Sequence, residues 1–500
     1  MATEKYNEYK ALMRKIRDIE SAGALLHWDM ETYMPPKGAA IRGQQISTMQ
    51  GLAHEMFCAS STGDLLKALL AEKEQLSPEE AANIDLSWDD YQKATKLPND
   101  FVKKASLIKT EAFQAWLKAR EANDYSIFSA PLKKLMLNKR EEAELLGYEG
   151  HPYDALMDAY EKGMTVEKLD VLFRDVREKL VAFAKELREK GKNSPTHFLE
   201  HVYPRQQQWE LGLHLLERMG YDFEAGRQDI TAHPFTISFA PEDVRVTTRI
   251  DEKIPMSMIG SCIHEGGHGL YEQGLPTEQY GLPLGSPTSL GIHESQSRLW
   301  ENNVGLSFAY WKAHFEHLQS LFPAQLSGIS VQSFYKAINQ VNPNLIRIEA
   351  DELHYHLHIL VRYELEKGLM DGSIEVDNLN ETWNQLYKEY LGVEVPDDKR
   401  GILQDIHWSQ GLVGYFPTYS LGSFYAAQFF KQALVDIPNL VQEIEQDKTS
   451  ALLTWLRDKI HRHGRRYTSE ELCAQITGEG LNFNYFMDYA KAKYGEIYTI

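Results

Sequence analysis

Apolar residues recur every three or four positions along most of this chain, a period that suits helices and not strands. In 165–189 (TVEKLDVLFRDVREKLVAFAKELRE), Val166, Leu169, Leu172, Phe173, Val176, Leu180, Phe183 and Leu187 mark one face, with charges opposite and Thr165 as a start signal. Comparable stripes run through 4–20, 64–75, 102–123, 131–147, 205–219, 332–341, 346–368, 379–391, 438–462 and 484–495. Only one stretch clearly departs from this period. In 235–239 (FTISF) and 244–250 (VRVTTRI) apolar and polar residues alternate around Ala-Pro-Glu-Asp, which predicts a short hairpin or three-stranded sheet. Neither an internal repeat nor a Gly/Ser linker divides the sequence. The expectation is an all-α, mainly helical, single large bilobed domain over residues 1–500, with a small β segment at about 235–250.

Composition narrows the function classes. A chain of 500 residues buries a large core without disulfide or metal staples. Its formal net charge of −19 repels phosphate backbones and anionic lipid, so neither nucleic acid nor a membrane surface is an expected partner. Residues 1–20 alternate charge with isolated apolar side chains, and no run of eighteen apolar residues follows anywhere. Cys58, Cys262 and Cys473 are odd in number and far apart, as free thiols in a reducing compartment. A soluble cytoplasmic protein is the expectation.

The sharpest chemical signal is CIHEGGHGLYEQG at 262–274. On a helix expected over about 256–273, His264 and His268 leave the same face one turn apart, a spacing that suits one zinc ion. Glu265 stands where its carboxylate reaches a metal-bound water. Gly266 and Gly267 each cost about 1 kcal/mol against alanine inside a helix, so close approach of backbone or ligand is expected there, with tight helix packing as the alternative. The strand at 244–250 precedes this helix, an arrangement suited to holding an extended peptide. The Gly/Pro-rich stretch 274–291 reads as a lid, a binding loop or a disordered segment. A catalytic zinc takes three protein ligands, so one more is required. Of the acids nearby, Glu294 at the start of a helix over about 292–303 is preferred. Glu301, two turns along the same face, is the alternative; Glu272, on the zinc helix itself, points past the metal.

With these residues assembled, the sequence resembles the carboxypeptidase Taq family of zinc-dependent metallocarboxypeptidases over nearly its whole length. The resemblance rests on HEGGH at 264–268 and HESQSR at 293–298. It also rests on H-P-F at His233, Pro234 and Phe235, and on D-x-R-x-T at Asp243, Arg245 and Thr247. Further matches are I-R-x-x-A-D (Ile346, Arg347, Ala350, Asp351), G-x-x-Q-D-x-H-W (Gly401, Gln404, Asp405, His407, Trp408) and HWDMETYMPPKG at 27–38. It implies removal of single residues from peptide carboxyl termini, a helical fold with a deep groove, a homodimer, and one zinc per chain that cobalt can replace. It also implies substrate contacts for His233, Asp243 and Arg245.

A carboxypeptidase must grip a free carboxylate, which a guanidinium does best. Arg347 is the candidate, placed where a helix opens after Asn-Pro-Asn at 342–344; an ion pair with Glu349 or Asp351 is its structural alternative. His407 and Tyr419 are candidates to polarise the scissile carbonyl or bind the terminus. His354, His356 and His358 read as core or supporting residues, and the basic run 457–466 as a solvated helix end. The expected mechanism has His264, His268 and Glu294 holding zinc and Glu265 acting as general base. The rivals are a zinc endo-oligopeptidase and a helical scaffold without catalysis.

Overall fold

The computed structural model describes residues 2–191 and 194–499. Among these residues the helical period becomes 21 α-helices, and the sheet has three strands. Helix Val166–Lys190 shows the sequence logic at work. The Thr165 side chain accepts a bond from Lys168 N at its start, and Val166, Leu169, Phe173, Val176, Leu180, Phe183 and Leu187 are buried along one face. No helix among the described residues is long and apolar enough to cross a membrane. The chain forms two compact units, each stitched from three segments. The first comprises Met1–Thr95, Pro195–Ile338 and Gln428–Gly480; the second comprises Lys96–Ser194, Asn339–Ala427 and Leu481–Ile500.

The first unit holds the sheet, with strands β1 (Gly226–Ile230), β2 (Thr236–Ala240) and β3 (Asp243–Thr248) in the order β1-β3-β2. β2 pairs antiparallel with β3, as the alternation predicts, and β1, which lies before the alternating stretch, is the third strand and pairs parallel with β3. Its sequence, GRQDI, lacks an apolar alternation because its buried residues are polar and partnered. Gln228 accepts from the Cys262 thiol, and Asp229 accepts from Arg227 and Tyr33. The N-terminal helix Ala2–Thr32 reaches β2, where Arg17 and Ser21 donate to the carbonyls of Ser238 and Phe239.

Two expectations for this unit are corrected. The segment 274–291 is not disordered: Leu282 and Leu284 are buried, Leu284 N donates to Asn83, Tyr280 donates to Asp18, and Tyr280 to Pro283 line a cavity. The basic run 457–466 is not simply solvated either. His461 is fully buried 3.0 Å from Gln296 Oε1, and Arg465 grips Asp90 through two bonds of 2.6 Å.

In the second unit, helix His354–Asp371 begins eight residues later than its apolar stripe suggests. Arg347 therefore opens only a single 3₁₀ turn, Arg347–Glu349. Asp351 sets the boundary, because its Oδ1 accepts from the backbone N–H groups of Leu353 and His354. His354, His356 and His358 are buried and bonded to Asp351, Ser420 and Tyr387, which is the core role expected of them.

Candidate functional site

The HEGGH helix spans Pro255–Glu272, with proline in its first turn and β3 just before it. The third-ligand segment is helix Leu290–Arg298, capped by the Ser289 side chain and continued as a π-helix over Leu299–Gly305. The paired glycines explain how these two helices meet. A Cβ on Gly267 would lie 2.7 Å from both the Gln296 carbonyl oxygen and Ser297 Cα, so here backbone packs on backbone. Gly266 faces Leu216 and Met219 of helix Arg205–Met219 instead.

That close approach brings Glu294 over the two histidines. One ligand atom each from His264, His268 and Glu294 falls within 4.8 Å of the others. Glu294 Oε2 lies 3.7 Å from His264 Nε2 and 3.4 Å from His268 Nε2. Tetrahedral bonds of about 2.0–2.1 Å set ligand atoms roughly 3.3 Å apart, so this donor set fits a zinc-like cation. Both histidines present Nε2 because their other nitrogens are engaged. His264 Nδ1 is 2.8 Å from Glu301 Oε2, and His268 Nδ1 is 2.6 Å from His293 Nδ1. Arg298 ties the acids together, donating from Nε to Glu294 (2.7 Å) and from Nη1 to Glu301 (3.0 Å). Glu301, the alternative ligand, thus sits behind His264.

The electrostatics of the group set burial against opposite charges. Burial alone would raise the Glu294 carboxyl, but Arg298, then His264 and His268, hold it well below the usual carboxylate range. Burial lowers His264, yet Glu294 and Glu301 push it up to about 9, because two carboxylates face this ring. Burial and then His293 drive His268 down to about 3, leaving it a neutral donor. Glu265 is buried, and its carboxyl is raised by desolvation against the opposing pull of His264 and Thr236. Thr236 of β2 donates to Glu265 Oε2 at 2.7 Å. A cavity of about 660 Å³ in the same unit is lined by Thr236 to Pro241, Arg17, His54 and Glu272.

A second cluster lies in the second unit and gathers three sequence candidates. Arg347 donates from Nε and Nη2 to Asp405 Oδ1 (3.0 and 2.9 Å) and from Nη1 to Tyr355, not to Glu349 or Asp351. Arg362 donates to the other Asp405 oxygen at 2.7 Å, and Gln404 accepts from Arg347 N. Two guanidiniums on one carboxylate leave a surplus positive charge in a nearly dry setting. The Arg347 guanidinium lies over the Tyr419 ring at 5.1 Å, and the Tyr419 hydroxyl is 3.2 Å from His407 Nε2. Burial, then Arg347 and Arg362 against Asp405, lower His407 to about 4, so it is neutral at neutral pH.

The remaining candidates engage local partners. Arg245 is held by Asp243 through two bonds of 2.9 Å and stacks over Trp28 at 4.4 Å. Thr247 accepts from Phe235 N, and the exposed His233 accepts from Thr231 through its carbonyl. Sequence reasoning did not assign roles to Thr236, His293, Arg298, Arg362 or Asp405. His293 and Arg298 stand inside HESQSR and Asp405 inside G-x-x-Q-D-x-H-W, whereas Thr236 carries no signal of its own.

Comparison with known proteins agrees with this architecture. The family model for carboxypeptidase Taq (M32) metallopeptidase matches residues 8–494. Carboxypeptidase 1 of Bacillus subtilis is 37% identical over 493 residues, covering 99% of this chain and 98% of its own. Thermostable carboxypeptidase 1 of Thermus thermophilus is 38% identical, with 99% of each chain covered. The crystal structure of the M32 carboxypeptidase from Deinococcus radiodurans superposes with a TM-score of 0.97 at 37% identity, over 99% of this chain and 100% of that one. With its whole length matched and the His/His/Glu group assembled, the chain belongs to the carboxypeptidase Taq (M32) family of metallopeptidases.

Proposed function

We propose that the chain is a zinc metallocarboxypeptidase that releases carboxyl-terminal residues from peptides, with His264, His268 and Glu294 as its metal ligands. One observation carries the reading: two Nε2 atoms and a carboxylate converge at tetrahedral spacing beside a buried glutamate. Zinc bound there supplies Lewis acidity, polarising a carbonyl and acidifying a water. Glu265 is the general base. Its raised carboxyl accepts the water proton and returns it to the leaving amine, while the Thr236 hydroxyl orients the carboxylate. Glu301 and Arg298 hold the ligands rather than the ion.

Arg347 takes the substrate's terminal carboxylate. The net positive charge of Arg347, Arg362 and Asp405 is neutralised by that anion, and a guanidinium fork matches its geometry. Neutral His407 and the Tyr419 hydroxyl bond the substrate's carbonyl or terminus. On the family resemblance, His233, Asp243 and Arg245 assist substrate binding, cobalt replaces zinc, and the enzyme works as a homodimer. The acidic, cysteine-poor composition supports action in the cytoplasm.

The test compares a peptide with its carboxyl-amidated twin, alongside elemental analysis of the purified protein. Stoichiometric zinc and cleavage confined to the free acid are expected. Equal cleavage of both peptides defines an endopeptidase, and protein without metal or activity defines a scaffold.

A further inference from the structure

Glu272 lies one turn beyond His268 on the HEGGH helix and is not part of the three-ligand group. Its carboxylate is nevertheless tied to that group through another side chain. Glu272 Oε1 is 2.9 Å from Nε2 of His293, whose Nδ1 is 2.6 Å from Nδ1 of His268. The three side chains are only 13 to 18% exposed, so water competes weakly for these bonds.

The protons in this chain follow from its ends. A carboxylate can only accept, so His293 Nε2–H donates to Glu272. A His268 that ligates through Nε2 keeps its proton on Nδ1, so Nδ1 of His293 is the acceptor. Two imidazole nitrogens 2.6 Å apart must share a proton, and His268 Nδ1–H is the one available donor. His268 is left with its lone pair on Nε2, the atom that faces Glu294. His264 is fixed in the same tautomer by a direct bond to Glu301. One histidine is braced by a carboxylate at first hand, the other through an imidazole spacer.

We propose that His293 is a positioning residue, and that Glu272 acts through it to fix the tautomer and ring orientation of His268. This rests on the ligand set proposed above. It also gives the adjacent residues of His-Glu-Ser separate tasks. Successive helical residues point about 100° apart, so His293 reaches the far end of the HEGGH helix while Glu294 reaches between its histidines. Supporting partners of this kind are worth about 10–100-fold in metal affinity.

The experiment measures zinc affinity of the full-length protein by competition with a chromophoric chelator, with thermal unfolding of the metal-free form as a check on folding. Glu294→Ala provides the ligand control. His293→Leu should weaken zinc binding about 10–100-fold, and His293→Asn, which keeps an acceptor beside His268, should recover part of that. Glu272→Gln should weaken binding in the wild-type background and add nothing to His293→Leu. The cobalt-loaded His293→Leu protein should show a shifted visible absorption band, because the His268 donor is reoriented. Wild-type zinc affinity in soluble His293→Leu and His293→Asn overturns the proposal, as does a Glu272→Gln effect that persists in full without His293. If Glu294→Ala also keeps wild-type affinity, the ligand set itself is wrong and the relay falls with it.

Discussion

Replacing Gly267 with alanine places a methyl group 2.7 Å from the Gln296 carbonyl oxygen and from Ser297 Cα. Comfortable contacts begin near 3.5 Å, so the two helices must separate or tilt by about 1 Å at this point. Backbone atoms cannot rotate aside, and Glu294 rides on the displaced helix one turn away. Metal–ligand distances tolerate only about ±0.2 Å, so the shift is several times what the site absorbs. Stability moves much less. Alanine gains about 1 kcal/mol over glycine in a helix, and overpacking costs about 1–3 kcal/mol, a net loss of roughly 0–2 kcal/mol. Gly266→Ala is the matched control, because its methyl meets Leu216 Cδ2 at 2.7 Å and Met219 Cε at 3.0 Å, ends of side chains that can turn away. Chelator competition and thermal melting of the metal-free proteins should therefore separate the two variants. Gly267→Ala should lose at least tenfold in zinc affinity while remaining folded, and Gly266→Ala should stay within about threefold of wild type. Wild-type affinity in Gly267→Ala, or an equal loss in both, would refute the argument from backbone contact.

Four further outcomes follow from the same geometry. Glu265→Gln should bind zinc normally but lose about 10²–10⁴-fold in kcat, as measured on metal-replete enzyme. Glu294→Ala should lose zinc more severely than Glu301→Gln in equilibrium dialysis, and the reverse order would exchange their roles. Arg347→Ala should lose about ten- to a hundred-fold in kcat/KM on free-acid peptides, with Arg347→Lys recovering only part, and the ratio to amidated substrate should collapse. An unchanged ratio would make Arg347 structural. Glu366 is fully buried, with Trp408, Gly414 N and Tyr153 donating to it, and burial raises its carboxyl to about 7. The folded state holds this proton more tightly than the unfolded chain does. Stability from Glu366 is therefore full below about pH 4.5 and falls by about 3 kcal/mol as pH rises through 7; a Glu366→Gln melt series should lose that slope.

The sequence made some of this site legible because helices impose a strict geometry. His264 and His268 are four positions apart, and that alone puts both imidazoles on one face. Glu294 and Glu301 are seven apart and share a face, so periodicity could not rank them. Arg298 and the π-turn, which set Glu301 behind His264, appear only in three dimensions. Arg347 was found for its chemistry but misplaced in its local structure. The side chain of Asp351 starts the following helix late, against an apolar stripe that begins earlier. β1 was invisible because Gln228 and Asp229 are buried through specific partners, which no hydropathy pattern encodes. His293 carried no legible role, since its function depends on two residues a helix away.

The interleaving of the first unit has a consequence during biosynthesis. By the time residue 294 has left the ribosome, every proposed zinc ligand has been made. The helix bearing Glu294 is still incomplete in its surroundings, because Gln296 awaits His461 and Thr288 awaits the carbonyl of Gly464. At about 5–20 residues per second, those supports arrive roughly 8–34 seconds later. A nascent chain in this interval carries the donors without the frame that sets their spacing. If His264, His268 and Glu294 hold the metal, tight capture is expected only once the carboxyl-terminal segment closes the unit. Chains cut short before residue 461 retain the full motif and should release metal readily.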